Sequence, residues 1–550
     1  MSTCGAEVLV NNLKAQGVTH IFGIPGAKVD RVFDALIDSG IQLVVCRHEQ
    51  NASFIAAGMG RLTGKAGVCL VTSGPGCTNL VTGFATANSE GIPLVGFGGS
   101  VPRAELLKQT HQSLDTVSLF RPVTRYSVEI DAPEEIGEVV ANAFRTAESG
   151  QQGAAFVSLP MDVMMGEADN KVLTPVFPPI LGAASEDLIA QAVTEINQSK
   201  TPVLLLGMSA SRPETAQTVR TLLTKNPLPT VCNYQAAGVI SQDLLSCFGG
   251  RIGLFHNQPA DQLLDEADLV ITIGFNPIEY NPKLWNKGKV RTIIHIDNVP
   301  AAIDANYKPT LEIIGNIGKT LNQLTKSLTA QDRITGVTRL SLARQELEEI
   351  RAMGKNLNGF PIHPLRIISE LQPFITDDLT LALDMGSFHI WHARYLYSFR
   401  PQQMLISNGQ QTLGVALPWA IAACLARPKD KVLSVSGDGG FLFSGQELET
   451  AVRLNCNLVH MIWNDGTYNM VAFQEQMKYG RTSGIQLGPF DVVKYAEAFG
   501  AKGFRINSPE EIATTLKKAM ALPGPVLIDI PVDYSDNIKL GQTLHSDIIF

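Results

Sequence analysis

Short apolar segments rich in β-branched residues alternate with helical patterns along most of the chain. A strand that is followed by a helix and then by another strand predicts a parallel sheet with helices on both faces. We therefore predict an α/β protein built from doubly wound parallel sheets. The clearest strand segments are "GVCLVTS", "PLVGFGG", "PVLLLGM", "DLVITIG", "RTIIHID", "LTLALDMG", "KVLSVS" and "NLVHMIW".

Length and two breaks in this pattern predict three domains. A chain of 550 residues is longer than a single hydrophobic core normally supports. The proline-bearing stretch at residues 166–182 indicates a first linker. A charged helix that runs into "NLNGFPIHP" places the second boundary between about Thr325 and Pro364. We expect the domains at residues 1–170, 183–330 and 360–550.

Composition limits the classes of function. The chain has 17% charged residues and a net charge of -8, and an acidic chain without a basic block is a poor nucleic-acid binder. Its start, "MSTCGAEVLVNNLKAQGVTH", lacks the pattern of a secretory signal, and its longest apolar run, "VALPWAIAACLA", is too short to span a bilayer. Cysteines without a C-x-x-C spacing argue against a zinc site and a disulfide framework. We expect a cytoplasmic protein with no nucleic-acid or membrane partner.

The predicted outer domains share one pattern. "VTSGPGCTN" with "GIPLVGF", and "VSGDGGFLF" with "NLVHMIW", each contain a strand, an S-G-x-G turn, a helix and a second strand. The distance from turn to second strand is 20 positions in the first case (93 minus 73) and 21 in the second (457 minus 436). Because many βαβ units have this length, the match only suggests that the two domains are related.

Asp438 lies between glycines at the end of a predicted strand, residues 431–436. We predict a helix over "GQELETAVRL" and the next strand at residues 457–463. Asp465 follows Asp438 by 27 positions (465 minus 438), about the length of one βαβ crossover. Both carboxylates should therefore lie above the carboxyl edge of neighbouring strands, where open α/β sheets bind ligands.

Two carboxylates that converge on glycine backbone favour a cation between them. Mg²⁺ accepts one or two carboxylates together with backbone carbonyls, water and phosphate oxygens, and the following helix offers its positive end to a phosphate. The pattern thus predicts a diphosphate held through Mg²⁺. Two alternatives stay open: Asp438 and Asp465 could be a helix cap and a turn residue, or they could hold a nucleotide for Mg²⁺-dependent phosphoryl transfer. No Walker loop supports the second alternative.

Glu49 lies between a predicted strand and a helix in "IQLVVCRHEQNASFIAAGMGRL". Taken alone, it is a first-turn Glu of the kind that a helix dipole favours. His48 and Glu49 do not begin an H-E-x-x-H motif, since position 52 is Ala, and "GMSAS" lacks the closing glycine of a G-x-S-x-G elbow. Neither a metalloprotease nor a serine hydrolase is therefore predicted.

"GDGG" followed by "WNDGTYN" resembles the cofactor fingerprint of the thiamine-diphosphate enzymes. Further segments in the order of that family extend the resemblance over the whole chain, and it is strongest to the catabolic, flavin-independent acetolactate synthases. It implies pyrimidine-binding, central and diphosphate-binding domains. These segments are "VTHIFGIPGAKVDRVFDAL", "RHEQNAS", "TSGPGCTN", "FVSLPMDV", "DMGSFHIWHARY" and "NGQQTLGVALPWAIAA".

The resemblance implies a role for each matching residue. Glu49 would share a proton with N1′ of the aminopyrimidine, and Leu413 would pack under the thiazolium where close relatives tend to have Met. Gln112 and Gln411 would face the substrate, with Lys28 as a positive group nearby. Metal ligands would be Asp438, Asp465 (Asn in many members) and the carbonyl of Thr467. The diphosphate would lie between Gly439 and Gly440 on one side and, on the other, Gly386, Ser387, Phe388 and His389. Tyr468 and Asn469 would open the helix beyond the metal, and Gly437 and Gln411 would also belong to the cofactor site.

The implied reaction joins two pyruvate molecules into 2-acetolactate and CO2 through a hydroxyethyl carbanion or enamine on thiamine diphosphate. Thiamine diphosphate and Mg²⁺ would be the cofactors. FAD is not expected, because "LLGMSASRPE" and "IGFNPIEYNP" lack the glycine-rich turn and the Arg-Phe-Asp segment of flavin-carrying relatives. A homodimer with shared sites, assembled into a homotetramer without a regulatory subunit, is expected. Another thiamine-diphosphate 2-keto acid decarboxylase, a pyruvate oxidase and an inactive relative are the alternatives, and the presence of Glu49, Asp438 and Asp465 argues against the last.

Overall fold

The computed structural model describes residues 3–541. Two compact units make up this part of the chain. The first unit contains residues up to 179 together with 409–429 and 442–458. The second contains residues 180–408 and 430–441 and those from 459 onward. The outer ends of the first and third predicted domains, residues 1–2 and 542–550, lie outside the described residues.

The first unit is built on a six-stranded parallel sheet. Three of its four inner strands, Gly67–Val71, Leu94–Ser100 and Ala154–Pro160, are buried at every position, which explains why their segments are mostly apolar and lack a polar alternation. Across the sheet the strands are Gln42–Val45, His20–Gly23, Gly67–Val71, Leu94–Ser100, Ala154–Pro160 and Tyr126–Glu129. The helices of the unit are Gly5–Ala15, Asp30–Ala35, Glu49–Thr63, Pro75–Ser89, Thr116–Phe120, Ile136–Glu148, Met161–Met165, Ala416–Ala426 and Leu448–Arg453.

The second unit holds two more six-stranded parallel sheets. The first consists of Phe248–Ile252, Thr230–Asn233, Pro202–Leu206, Leu269–Ile273, Thr292–Asp297 and Leu311–Ile314. Its helices are Glu186–Gln198, Pro213–Lys225, Pro259–Asp265, Pro282–Asn286, Ile317–Ser327 and Thr338–Met353. Three of these helices begin with proline, whose fixed φ angle and missing N–H suit the first helical position.

The last sheet carries the predicted diphosphate site. Its strands are Met404–Ile406, Leu379–Leu383, Lys431–Gly437, Leu458–Asn464, Val526–Pro531 and Lys502–Arg505. Its helices are Pro364–Leu371, Ser387–Tyr395, Asp438–Ser444, Asn469–Tyr479, Val492–Ala498, Glu511–Ala521 and Asn537–Gly541. Among the helices of residues 3–541, none has the length and hydropathy needed to cross a bilayer.

Strand order relates the outer sheets to each other. Numbered by their order in the chain, the strands of the first and last sheets both run 2-1-3-4-6-5, which strengthens the relation suggested by the S-G-x-G turns. The middle sheet runs 3-2-1-4-5-6, the order found in dinucleotide-binding folds. The predicted fold class, with three doubly wound parallel sheets, is therefore confirmed. The exact domain limits stay predictions.

The helix after the GDG turn differs from the prediction. The sequence predicts its start at Gly445, but a helix already begins at Asp438, seven positions earlier (445 minus 438). A 3₁₀ turn at Gly445–Glu447 separates this helix from helix Leu448–Arg453. Because glycine is a poor helix former, Gly439 and Gly440 did not indicate a helix, and the predicted start is too late. The Asp438 carboxylate accepts the Gly439 N–H, and the buried Phe441 fixes the turn against the core.

Candidate functional site

Asp438 and Asp465 end neighbouring strands of the last sheet, as predicted. Asp438 is buried, and its two carboxylate oxygens accept the N–H groups of Gly439 at 2.9 Å and Gly466 at 2.8 Å. Gly466 directly follows Asp465, so one carboxylate fixes the turn that carries the other. The two predicted metal ligands therefore belong to one connected structure.

Electrostatics at this edge favours a bound cation. Burial, followed by the charge of Asp465, raises the pKa of Asp438 to about 6. Burial also raises the pKa of Asp465 above its ordinary value. Within residues 3–541, no three His, Cys, Asp or Glu side chains converge on a point. A metal here would therefore need backbone, water and ligand oxygens besides the two carboxylates, a ligand set that suits Mg²⁺.

A chain of hydrogen bonds links the Asp465 turn to the turn that precedes helix Ser387–Tyr395. The Oδ2 atom of Asp465 accepts Thr467 Oγ1 at 2.6 Å and Asn469 Nδ2 at 2.7 Å. Ser387 Oγ donates to Asn469 Oδ1 at 2.9 Å. The predicted metal and diphosphate residues from separate parts of the sequence thus form a single network.

Gly439 and Gly440 of the GDGG turn pack closely against neighbouring side chains. A Cβ atom on Gly439 would lie 2.6 Å from a ring carbon of Tyr468. A Cβ atom on Gly440 would lie 3.3 Å from the carboxyl carbon of Asp384. The absence of a side chain at these two positions therefore lets the turn pack against Tyr468 and Asp384.

Phe388 and His389 have buried side chains below their turn. Phe388 belongs to the hydrophobic core, and the His389 ring lies edge-on to Tyr234 with the ring centroids 5.6 Å apart. Among the described residues, neither ring nitrogen of His389 has a hydrogen-bond partner. Burial, followed by the charges of His392 and Arg394, lowers the pKa of His389 to about 3 and keeps the ring neutral. Any contact of these two residues with a diphosphate would come from their backbone.

Glu49 lies in the first unit, at the first position of helix Glu49–Thr63. The preceding residue, His48, caps this helix by accepting the Gln50 N–H at 3.1 Å. Asn79, on helix Pro75–Ser89, donates to Glu49 Oε2 at 2.9 Å. Asn79 is not among the predicted site residues, although it is the last residue of the segment "TSGPGCTN". Its distance of 30 positions from Glu49 (79 minus 49) does not indicate in the sequence that the two side chains meet.

Gln112 and Gln411 both adopt left-handed backbone conformations, with φ angles of 63° and 49°. Such angles are uncommon in residues other than glycine and concentrate at functional sites. Gln112 Oε1 accepts Ser73 Oγ at 2.9 Å, next to Gly74, where an added Cβ would lie 3.0 Å from that of Gln112. Both side chains are thus on constrained loops.

The other predicted residues of the first unit lie in turns. Lys28 is half-buried, and a Cβ atom on Gly99 would lie 3.0 Å from its Cβ. Leu413 is half-buried just before helix Ala416–Ala426, and its neighbour Thr412 shares a 2.7 Å hydrogen bond with Thr86. The hydrogen-bonded network of Asp438 and Asp465 described above belongs to the second unit.

Comparison with known proteins assigns the three sheets to one family. Residues 3–119 match the model described as thiamine pyrophosphate enzyme, N-terminal TPP binding domain. Residues 189–324 match its central domain, and residues 384–530 match its C-terminal TPP binding domain. The chain belongs to the thiamine pyrophosphate enzyme family. The Asp438 network lies in the C-terminal match of this thiamine pyrophosphate enzyme, and Glu49 lies in the N-terminal match.

Three similar proteins in the family have names that contain acetolactate synthase. The acetolactate synthase of Bacillus subtilis (strain 168) is 53% identical over 539 residues, which are 98% of this chain and 95% of the relative. The catabolic acetolactate synthase of Raoultella terrigena is 52% identical over 543 residues, or 98% and 97% of the two chains. The acetolactate synthase isozyme 2 large subunit of Escherichia coli (strain K12) is 29% identical over 97% of this thiamine pyrophosphate enzyme and 96% of its own length.

We expect the contribution of Asp438 to the free energy of unfolding without Mg²⁺ to fall by about 2 kcal/mol as the pH rises from about 4 to 6. Over that range the folded protein keeps a proton on Asp438, whose pKa is raised to about 6, while the unfolded chain has lost it. Folded Asp438 must then ionise beside Asp465. Urea unfolding at several pH values should show this slope in wild type and a flatter slope in Asp438→Asn. Equal slopes would contradict the raised pKa of Asp438.

Proposed function

We propose that this thiamine pyrophosphate enzyme joins two molecules of pyruvate into 2-acetolactate and CO2. The observation that carries the proposal is the 53% identity over 98% of the chain to a relative named acetolactate synthase. The separate carboxylates support it, because Glu49 is held by Asn79 while Asp438 and Asp465 share the glycine-rich edge. Thiamine chemistry needs one carboxyl group at the pyrimidine and others at the metal.

Mg²⁺ would be held by Asp438, Asp465 and the carbonyl of Thr467. The diphosphate would lie against the Gly386 and Ser387 turn on one side and Gly439 and Gly440 on the other. When bound, thiamine diphosphate supplies an electron sink for decarboxylation and carbon–carbon bond formation. The raised pKa of Asp438 supports the metal assignment, because a bound divalent cation would favour the ionised form that burial and the charge of Asp465 disfavour.

Residues of the first unit would handle the proton and the substrate. Glu49 would hold a proton at N1′ of the pyrimidine, and the Asn79 amide would orient its carboxylate. Gln112 and Gln411 would donate to the carboxylate or keto oxygen of pyruvate, and Lys28 would add positive charge for an anionic substrate. Leu413 would support the ring from below, since its volume is close to that of Met.

The measured stoichiometry separates this activity from its alternatives. We expect two molecules of pyruvate to disappear for each CO2 released, with no uptake of oxygen, because the second pyruvate is the acceptor. A simple decarboxylase would consume one pyruvate per CO2 and release acetaldehyde. A pyruvate oxidase would consume oxygen. Either result would replace the proposed reaction while leaving the thiamine site intact.

The proposed enzyme needs no flavin, and the middle sheet supplies the support. Doubly wound sheets of this order bind ligands at the switch point, here between strands Pro202–Leu206 and Leu269–Ile273. The buried carboxylate of Glu279 lies at this point and accepts the N–H groups of Met208 at 2.7 Å and Asn276 at 2.9 Å. Met208 lies just after strand Pro202–Leu206, where the phosphate of a dinucleotide would bind. Its N–H group is not free for a phosphate, because it donates to Glu279.

We expect purified protein to be colourless and its activity to be independent of added FAD. Apoprotein restored with thiamine diphosphate and Mg²⁺ should reach full activity, and titration calorimetry should show no heat of FAD binding. A bound yellow chromophore would contradict this expectation. So would an apoprotein that stays inactive with thiamine diphosphate and Mg²⁺ and becomes active only when FAD is added.

The proposed active unit is a homodimer in which each site takes Glu49 from one subunit and Asp438 from the other, with two dimers forming a homotetramer. The placement of Glu49 and Asp438 in separate compact units supports this arrangement, since each unit can belong to a different site. No regulatory subunit is proposed, and the enzyme would act in the cytoplasm.

Shared sites predict recovery of activity in mixed dimers. Inactive Glu49→Gln and Asp438→Asn chains that are co-expressed should form about half mixed dimers, each with one intact and one doubly mutated site. Activity should recover to roughly a quarter of wild type if the sites act independently. Mass spectrometry must confirm that mixed dimers formed. Mixed dimers without activity would show that each site is built within one chain.

A further inference from the structure

Glu447 is a fully buried carboxylate that the catalytic proposal does not use. It ends the 3₁₀ turn Gly445–Glu447, which follows the GDG helix. Its three donors are the Arg47 N–H at 2.8 Å, Asn51 Nδ2 at 2.9 Å and Thr450 Oγ1 at 2.8 Å. All of these residues belong to the first unit.

Two of these donors flank Glu49. Arg47 lies two positions before Glu49, and Asn51 lies two positions after it. Glu447 Oε1 accepts from the backbone that enters the helix, and Oε2 accepts from the third residue of the helix. A carboxylate is also favoured at the positive end of helix Glu49–Thr63. One carboxylate therefore fixes the start of the helix on both sides of Glu49.

We propose that Glu447 is a positioning residue that holds Glu49 against the pyrimidine of the cofactor, an inference that rests on the proposed function. Asn79 holds the carboxylate of Glu49, and Glu447 holds the backbone from which that side chain extends. Hydrogen bonds to a charged acceptor are stronger and shorter than neutral ones. The contacts of Glu447 with Arg47 and Asn51, called the clamp below, therefore limit movement of the helix start.

Loss of the clamp should reduce proton transfer more than cofactor binding. Without Glu447, the Arg47 N–H and the Asn51 amide lose a buried acceptor, and the first turn of the helix can shift. A displacement of about 1 Å at a reacting group can cost roughly 100-fold in rate. The proposed diphosphate and metal ligands belong to the second unit, whereas Glu447 and its three donors belong to the first.

The first test measures exchange of the C2 proton of bound thiamine diphosphate by NMR after rapid mixing with D2O. Glu447→Ala should slow the exchange by about 100-fold with cofactor affinity close to wild type. Glu447→Gln should retain most of the rate. Asn51 Oδ1 has no hydrogen-bond partner among the described residues. After rotation of the Asn51 amide, this oxygen can accept the new Gln amide.

Glu148→Ala is the matched control. The Glu148 carboxylate accepts the Ala66 N–H at 2.8 Å, just beyond the opposite end of the same helix. A general loosening of the helix would slow exchange in both variants, whereas positioning of Glu49 predicts slow exchange in Glu447→Ala only. If Glu447→Ala does not fold, Asn51→Ala removes one of the two flanking contacts and should slow exchange with the same preserved affinity.

Outcomes separate this inference from the function on which it rests. Slow exchange in wild type itself would contradict the proposed thiamine chemistry. Fast exchange in wild type and in both Glu447→Ala and Asn51→Ala would overturn the positioning role alone. Loss of cofactor affinity in step with the exchange rate would also overturn it, because Glu447 would then act on the diphosphate half of the site.

Mixed dimers give the second test. Glu447 lies only 9 positions after Asp438 (447 minus 438) but 398 after Glu49 (447 minus 49). If it positions Glu49, Glu447→Ala chains should restore activity when mixed with Asp438→Asn chains and should fail to do so with Glu49→Gln chains. Recovery with Glu49→Gln would instead assign Glu447 to the metal half and overturn the proposal. The Glu49→Gln and Asp438→Asn mixture is the positive control.

Discussion

Glu49→Gln should slow exchange of the C2 proton of bound thiamine diphosphate by about 100- to 10,000-fold, the usual contribution of a positioned acid or base. The amide has nearly the shape of the carboxyl group but cannot share a proton with N1′. It can still receive the Asn79 amide through its oxygen. Cofactor affinity should therefore stay close to wild type while turnover falls with the exchange rate.

Glu148→Gln provides the control for this variant, because it also replaces a partly buried carboxyl group of the first unit. Its exchange rate should equal that of wild type. Exchange at the wild-type rate in Glu49→Gln would remove Glu49 from the mechanism, and the resemblance that assigned its role would then fail for the first unit.

Asp438→Ala should abolish measurable turnover and weaken Mg²⁺ binding by more than about 100-fold, since loss of a residue that only supports a metal ligand already costs 10- to 100-fold. The variant loses a proposed direct ligand and also the acceptor of the Gly439 and Gly466 N–H groups. The fold should survive, because burial and the charge of Asp465 already disfavour the ionised form of Asp438 in the metal-free protein. Calorimetric titration with Mg²⁺ and thiamine diphosphate measures the loss.

Asp491→Ala is the matched control for Asp438→Ala. Asp491 caps helix Val492–Ala498 by accepting the N–H groups of Val493 and Lys494. Its loss should cost about 1 kcal/mol of stability without changing Mg²⁺ affinity. Unchanged affinity in Asp438→Ala, or equal losses in the two variants, would contradict the metal assignment.

Local sequence patterns predicted those parts of the fold that depend on neighbouring residues. Predicted strands at 431–436 and 457–463 compare with Lys431–Gly437 and Leu458–Asn464, because a buried parallel strand is a continuous apolar run. The 27-residue spacing of Asp438 and Asp465 correctly predicted adjacent strand ends, since a βαβ crossover has a restricted length. Their contact with a metal stays a prediction.

Contacts between distant segments could not be predicted. Asn79 and Glu447 act on Glu49 and its helix from 30 and 398 positions away, and only the packing of the elements brings them together. The left-handed angles of Gln112 and Gln411 also have no local signal, because glutamine does not favour them. The sequence of the middle domain lacks recognisable flavin motifs. It did not predict that the Glu279 carboxylate accepts the N–H groups of Met208 and Asn276.

The central claim is that this chain makes 2-acetolactate from pyruvate, and carbon-13 NMR of the product tests it most directly. Purified protein with labelled pyruvate, thiamine diphosphate and Mg²⁺ should yield the signals of 2-acetolactate. Omission of either cofactor should leave pyruvate unchanged, and Glu49→Gln should form the product far more slowly. Acetaldehyde or acetate as the only labelled organic product, or unchanged pyruvate with both cofactors bound, would contradict the account.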